Sequence, residues 1–246
     1  MGRAASLLRK HARVSAGAAL LAALLVWYEL YDRVSDQPDW VDVAIVGGAL
    51  LPATFALVWL ALPLRHARGL AAVAASFGIL AAVLHAADAD VGANFAKLAA
   101  VTLAAFWFLG FFERLSWVVS IAALVPLVDA ASVWRGPTHH IITERPSVFS
   151  ALSVAFPAPA GDFFALGLPD ILFFGLFLAA ADRWLLRVGA TWALMVASLT
   201  ATIALAVWTD PFGIGGLPAL PGLSIAFLLA NADLLWRRLR GRNEFA

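Results

Sequence analysis

The chain has 246 residues, 63% of them hydrophobic and 13% charged, with a formal net charge of +1, no cysteine and a mean hydropathy of +0.87. A soluble domain carries about a quarter charged residues, so this composition excludes a soluble globular enzyme, a disordered chain and a nucleic-acid binder, and it indicates an integral membrane protein. Near-neutrality implies no bulk acidic or basic partner, and the lack of cysteine removes disulfides, thiol catalysis and Cys-ligated metals.

A spanning helix needs about 20 mostly apolar residues. Eight segments qualify: 14–31, 41–63, 69–87, 94–112, 116–134, 162–182, 189–208 and 214–235. All are apolar around most of their circumference, as lipid-embedded helices are. The expected fold is therefore all-α, a polytopic bundle of about eight transmembrane helices forming one membrane domain over 1–246. The first segment has a basic start (Arg3, Arg9, Lys10, Arg13) but ends in Trp27-Tyr28-Glu29-Leu30 rather than a small-residue cleavage site, so it reads as a retained span.

Basic residues set orientation. With the N-terminus cytoplasmic, thirteen Lys and Arg fall inside and four outside, the four being Arg33, Lys97, Arg135 and Arg145. Both termini are then cytoplasmic. Trp117, Trp134, Trp184, Trp208 and Trp236 fall at predicted helix ends, as an aromatic belt does. Two Lys against fifteen Arg, with abundant Ala, suits a GC-rich bacterial genome and hence a bacterial plasma membrane.

An ionisable residue inside a span is a functional-site candidate by default. Asp129 and Asp170 qualify, and neither has a basic residue within a helical turn of its own segment. At about 1.5 Å rise per residue, Asp129 lies roughly 8 Å and Asp170 roughly 12 Å below the outer surface. Their spans are consecutive and antiparallel, so the carboxyls can face each other. Two facing carboxyls in low dielectric share a proton, and such a pair can activate water and protonate a leaving group. A proton or cation path, or a polar contact between helices, explains the two aspartates as well. The start of the last span adds a third feature. Pro218-Ala219-Leu220-Pro221, flanked by glycines, cannot make a regular helix. Irregular backbone at membrane depth belongs where it is buried in protein or lines a wet cavity.

These motifs resemble the presenilin and signal peptide peptidase family, the GxGD-type intramembrane aspartyl proteases. Val128-Asp129 stands for that family's Tyr-Asp motif, Gly167-Leu168-Pro169-Asp170 for Gly-x-Gly-Asp, and Pro218-Ala219-Leu220 for its Pro-Ala-Leu motif. Order and spacing agree over about 116–236, the expected catalytic core. The resemblance implies an aspartic endopeptidase of presenilin-like fold that needs no metal or organic cofactor. Asp129 and Asp170 would be catalytic, and Gly167, Leu168, Pro169 and Pro218 to Pro221 would line the substrate cleft. Partners would be transmembrane helices or leftover signal peptides in the bilayer, inserted with their N-terminus inside, and not nucleic acid. Their unwound backbone would pair beside the 160–168 stretch. Two departures stand out: Val128 for Tyr removes a hydroxyl, and Pro169 for the second Gly removes an N–H and a free φ. Two other readings remain: a helix-binding pseudoprotease, motivated by Pro169, and a proton-coupled small-molecule transporter.

The remaining polar residues read as structural. His139, His140 and Glu144 make a weak metal site, and His85, Asp88 and Asp90 a solvated acidic loop. Asp233 is expected to pair with Arg237 at i, i+4, and Asp182 to sit at a span boundary beside Arg183. Gly47, Gly48 and Gly175 read as close helix contacts.

Overall fold

A computed structural model describes residues 2–135, 140, 144–159, 163–209 and 217–240. In chain order these form α1 (Gly2–Leu30), α2 (Asp39–Ile45), α3 (Leu51–Ala61), α4 (Leu70–Ala86), α5 (Asp90–Phe108), α6 (Leu115–Arg135) and a short α7 (Pro146–Ala151). A β-hairpin follows, β1 (Ser153–Pro157) and β2 (Phe163–Gly167), then α8 (Leu168–Arg183), α9 (Val188–Thr209) and α10 (Leu220–Arg240). Among the described residues, five helical stretches are long and apolar enough to cross a membrane: His11–Arg33, Asp39–His66, Asp90–Phe111, Leu115–Trp134 and Val188–Thr209. Helix α4 is apolar but shorter. Ile79, Leu127, Val128 and Leu229 are 66–69% exposed, a surface that suits lipid rather than water. Trp117, Trp134, Trp208 and Trp236 are likewise exposed, whereas Trp184 is half-buried with the Arg183 guanidinium over its ring.

Helix α8 is the centre of the bundle. Every residue from Phe174 to Ala181 is buried. Phe174 stacks on Phe55 of α3 with ring centroids 3.9 Å apart, and Phe177 stacks on Phe227 of α10 at 4.9 Å. A Cβ at Gly175 would stand 3.0 Å from the Ala105 Cβ, so the missing side chain lets α5 and α8 approach.

The all-α expectation needs one correction, at the segment expected as a span over 162–182. Its described beginning is strand, not helix. Pro169 gives the reason. Had the helix continued upstream, Pro169 would lack the N–H to bond the residue 165 carbonyl, and its ring would clash there. At the second position of α8 the same proline is tolerated, because first-turn N–H groups have no helical partner. The 16-residue helix rises about 24 Å, short of the roughly 30 Å hydrocarbon core. The extended residues before it lengthen the segment, and β1 supplies the hydrogen bonds that apolar surroundings do not.

The hairpin is antiparallel, with Ser153 opposite Gly167, Ala155 opposite Ala165 and Pro157 opposite Phe163. Leu168 N–H closes the ladder on the Leu152 carbonyl at 3.0 Å. The Ala155 N–H and carbonyl both bond side chains of other helices. The pair Ala155/Ala165 is therefore of the non-hydrogen-bonded type, and the backbone groups of Ala165 point to the far edge of β2.

Helices α2 and α3 join through a π-helical turn, Val46–Leu50. The Gly47 carbonyl accepts a 3.0 Å hydrogen bond from Thr200 Oγ1 of α9. A Cβ on Gly47 would lie 2.3 Å from Thr200 Cγ2. Gly47 is thus a close helix contact, while Gly48 meets nothing within 4 Å. Gly47→Ala should destabilise the protein by about 1–3 kcal/mol through overpacking. Adding Thr200→Ser removes the clashing methyl and should recover part of the loss. Thermal unfolding in detergent measures both, and a Gly47→Ala variant as stable as wild type would contradict the packing.

Ion pairs gather at the end of α8 away from the hairpin. Arg65 Nε bonds Asp182 at 2.7 Å, and Arg187 grips Asp233 with two bonds of 2.6 and 2.8 Å. The expected Asp233–Arg237 pair gives way to this one, because Arg187 on the α8–α9 turn presents a bidentate fork. Asp182 likewise pairs across the bundle rather than with its neighbour.

Candidate functional site

Three backbone irregularities converge near the first turn of α8. The first is on α6, where Pro126 removes one helical hydrogen bond a turn before Asp129. Asp129 is half-buried, while Val128 beside it is 69% exposed. The Val128 side chain therefore lies on the outer face of α6 rather than in the bundle interior.

The second is the start of α10. Leu217 to Ala219 are non-helical, and Leu220 opens the helix with Pro221 behind it. The Leu220 N–H donates to Asp129 Oδ2 at 3.1 Å. Helix N-termini carry N–H groups without intrahelical partners, and Asp129 satisfies one of them from another helix. The bond ties the Pro-Ala-Leu segment to the first aspartate. Ala219 and Leu220 are buried, and Pro218 and Pro221 are half-buried. The glycines expected to flank the segment at 213–216 lie outside the described residues.

The third is the β2–α8 junction. Gly167 is the residue before the helix, with extended backbone (φ −61°, ψ 145°), and its backbone lies beside the Asp170 carboxyl. Asp170 is the third helical residue, so it reaches back to the N-terminal boundary as the acidic half of a capping box does. A Cβ on Gly167 would stand 3.1 Å from Asp170 Oδ2. Any side chain here would press on the Asp170 carboxyl and make it give by a few tenths of an ångström, while φ places no demand for glycine. The Asp129 and Asp170 carboxyls lie near enough for their like charges to oppose one another. Pro169 is exposed, whereas Leu168 turns its N–H to β1 and packs on the core.

The structure thus brings Asp129, Asp170, Gly167 and Leu220 together. Gly167→Ala should displace the Asp170 carboxyl and lower any activity that depends on it about tenfold or more, with a smaller effect on stability. Turnover and melting temperature measured on the same preparation separate the two effects, and full turnover would show that the carboxyl has room to move.

No cluster of three His, Cys, Asp or Glu side chains that could hold a metal is present among the described residues. His140 pairs with Glu144 at 3.0 Å and His85 with Asp90 at 3.5 Å. His139 lies outside the described residues.

Sequence reasoning missed Lys97. Counted with the outer-side basic residues, it is instead buried within α5, where its ammonium donates to the Ser150 and Ser153 carbonyls at 2.8 and 2.9 Å. The signal was present, because a charge within the 94–112 segment meets the same criterion that picked out the aspartates.

Comparison with protein-family models, with curated proteins and with solved structures returns no match, so the site's geometry stands as the argument for what it does.

Proposed function

We propose that the chain is an intramembrane aspartyl endopeptidase with Asp129 and Asp170 as its catalytic pair. The observation that carries this reading is the Leu220 N–H on Asp129 Oδ2, which joins the Pro-Ala-Leu segment to a carboxyl that itself neighbours Asp170. A water between the two carboxyls loses a proton to the charged one as its oxygen attacks the scissile carbonyl. The protonated one gives its proton to the carbonyl oxygen. Collapse of the tetrahedral intermediate returns a proton to the leaving nitrogen and releases an acid and an amine. The pair acts and titrates as a unit.

The substrate is a transmembrane helix or leftover signal peptide that enters from the bilayer and unwinds. Its extended backbone lies along the open edge of β2, which runs directly into Gly167 and Asp170. Eight spans, both termini cytoplasmic and a bacterial plasma membrane complete the proposal. A reporter fused after Ala246 tests the orientation and should read cytoplasmic. Pro169 is accommodated in the first turn of α8, so the helix that carries Asp170 needs no distortion to hold it.

The experiment is incubation of purified protein with a transmembrane model peptide, with products mapped by mass spectrometry. Cleavage within the apolar span is expected. Bound but uncut peptide would shift the assignment to a helix-binding pseudoprotease. Aspartate-dependent flux in liposomes without product would shift it to a transporter.

A further inference from the structure

Four side chains outside the aspartate site hold the far edge of β1. Lys97 of α5 donates to the Ser153 carbonyl at 2.9 Å and to the Ser150 carbonyl just before the strand at 2.8 Å. Asn94, nearly one turn earlier on the same helix, accepts the Ala155 N–H at 3.3 Å. From α1, the Tyr28 hydroxyl donates to the Ala155 carbonyl and Trp27 Nε1 to the Pro157 carbonyl at 2.8 Å. Pro157 has no N–H to satisfy. The backbone groups that β1 turns away from β2 at positions 153, 155 and 157 are thus met by side chains at the Ser153 carbonyl, at both Ala155 groups and at the Pro157 carbonyl.

Satisfying the buried edge calls for polar partners, because apolar side chains would leave its N–H and carbonyl groups unpaired. These partners also do what apolar cover would not, which is to stop the strand from sliding. Directional bonds from two helices fix the strand along its own axis. Strand β2 is paired to β1 and ends at Gly167, and Asp170 follows in the first turn of α8 without an intervening loop. The position of β1 along its axis therefore sets where β2, any chain docked on it and Asp170 stand relative to Asp129 on α6.

We propose that Trp27, Tyr28, Asn94 and Lys97 are positioning residues that fix which peptide bond of a docked substrate is cut. The proposal rests on the endopeptidase reading above. Its consequence is specific. Loosening the clamp should scatter the cleavage sites, whereas a merely structural role would lower the amount of active protein and leave the pattern of products unchanged.

The test compares wild type with Tyr28→Phe, which loses one hydroxyl, and with Lys97→Met. Products from a transmembrane peptide are quantified by mass spectrometry, and amide hydrogen exchange is followed in parallel. The share of product cut at neighbouring bonds should rise at least fivefold relative to the principal bond. Exchange in 153–167 should quicken at least tenfold while α9 is unchanged. An unchanged product ratio with a lower yield overturns the proposal, as does exchange that quickens equally throughout. Should Lys97→Met fail to fold, Tyr28→Phe decides alone. Should wild type cut nothing, the endopeptidase reading fails by itself. The clamp is then read from where a bound peptide cross-links to a photoreactive side chain at position 163: a scattered pattern in Tyr28→Phe supports it and an unchanged one refutes it.

Discussion

Asp129→Asn and Asp170→Asn are each expected to lower cleavage of a transmembrane peptide by about a thousandfold or more, the upper range for loss of a general acid or base. Asparagine has nearly the shape of aspartate and keeps an acceptor oxygen. The amide oxygen at position 129 can still receive the Leu220 N–H, and the one at position 170 can still face the Gly167 N–H, so the contacts that tie α6 to α10 and β2 to α8 persist. What disappears is the proton that the pair exchanges with water and substrate. Helical content, melting temperature and peptide binding should therefore stay close to wild type. The double variant should be little worse than either single one, because residues that act as a unit are not additive. Rates of product formation beside far-ultraviolet circular dichroism and a binding assay check each part. Cleavage by either variant within tenfold of wild type would sink the assignment of the dyad.

Much of this site was legible because membranes make a few residues conspicuous. An aspartate such as Asp129 or Asp170 in an apolar span has no cheap explanation, and two prolines three apart cannot both lie inside a helix: Pro218 stays outside α10 and Pro221 enters only its first turn. Spacing along the chain was enough to put the three features in one layer. The hairpin was not legible. Phe163 to Leu166 are as apolar as a helix would be, and no alternation of polar residues marks a strand whose two faces both avoid water. Pro169 was the available signal, since it forbids a helix reaching back across residue 165. The cross-bundle pairs Arg65–Asp182 and Arg187–Asp233 escaped for another reason: sequence shows neighbours at i, i+4, whereas these partners are brought together by how the helices stack.

The open edge of β2 carries the second large effect, expected from Ala165→Pro. Ser153, Ala155 and Pro157 turn backbone groups toward α1 and α5. In an antiparallel pair their partners Gly167, Ala165 and Phe163 must turn theirs the opposite way. The Gly167 N–H faces the Asp170 carboxyl. Ala165, whose side chain is exposed, has no partner for its outward N–H and carbonyl among the described residues and can offer both to a strand arriving alongside. Proline at 165 removes that N–H without touching the bonds to β1, and prolines are tolerated on strand edges for this reason. A docked substrate then has a carbonyl with no donor in a dry site, which costs about 1–3 kcal/mol. At about 1.4 kcal/mol per tenfold, KM should rise roughly tenfold or more, and the proline ring standing in the path of the incoming strand adds to the loss. Ala165→Val keeps the N–H and adds bulk on the face instead, so it should retain binding better than the proline variant. Peptide titrations of both variants give the comparison. If Ala165→Pro binds and cuts as wild type does, the substrate does not lie on β2, and the region between α6 and α10 becomes the place to look for it.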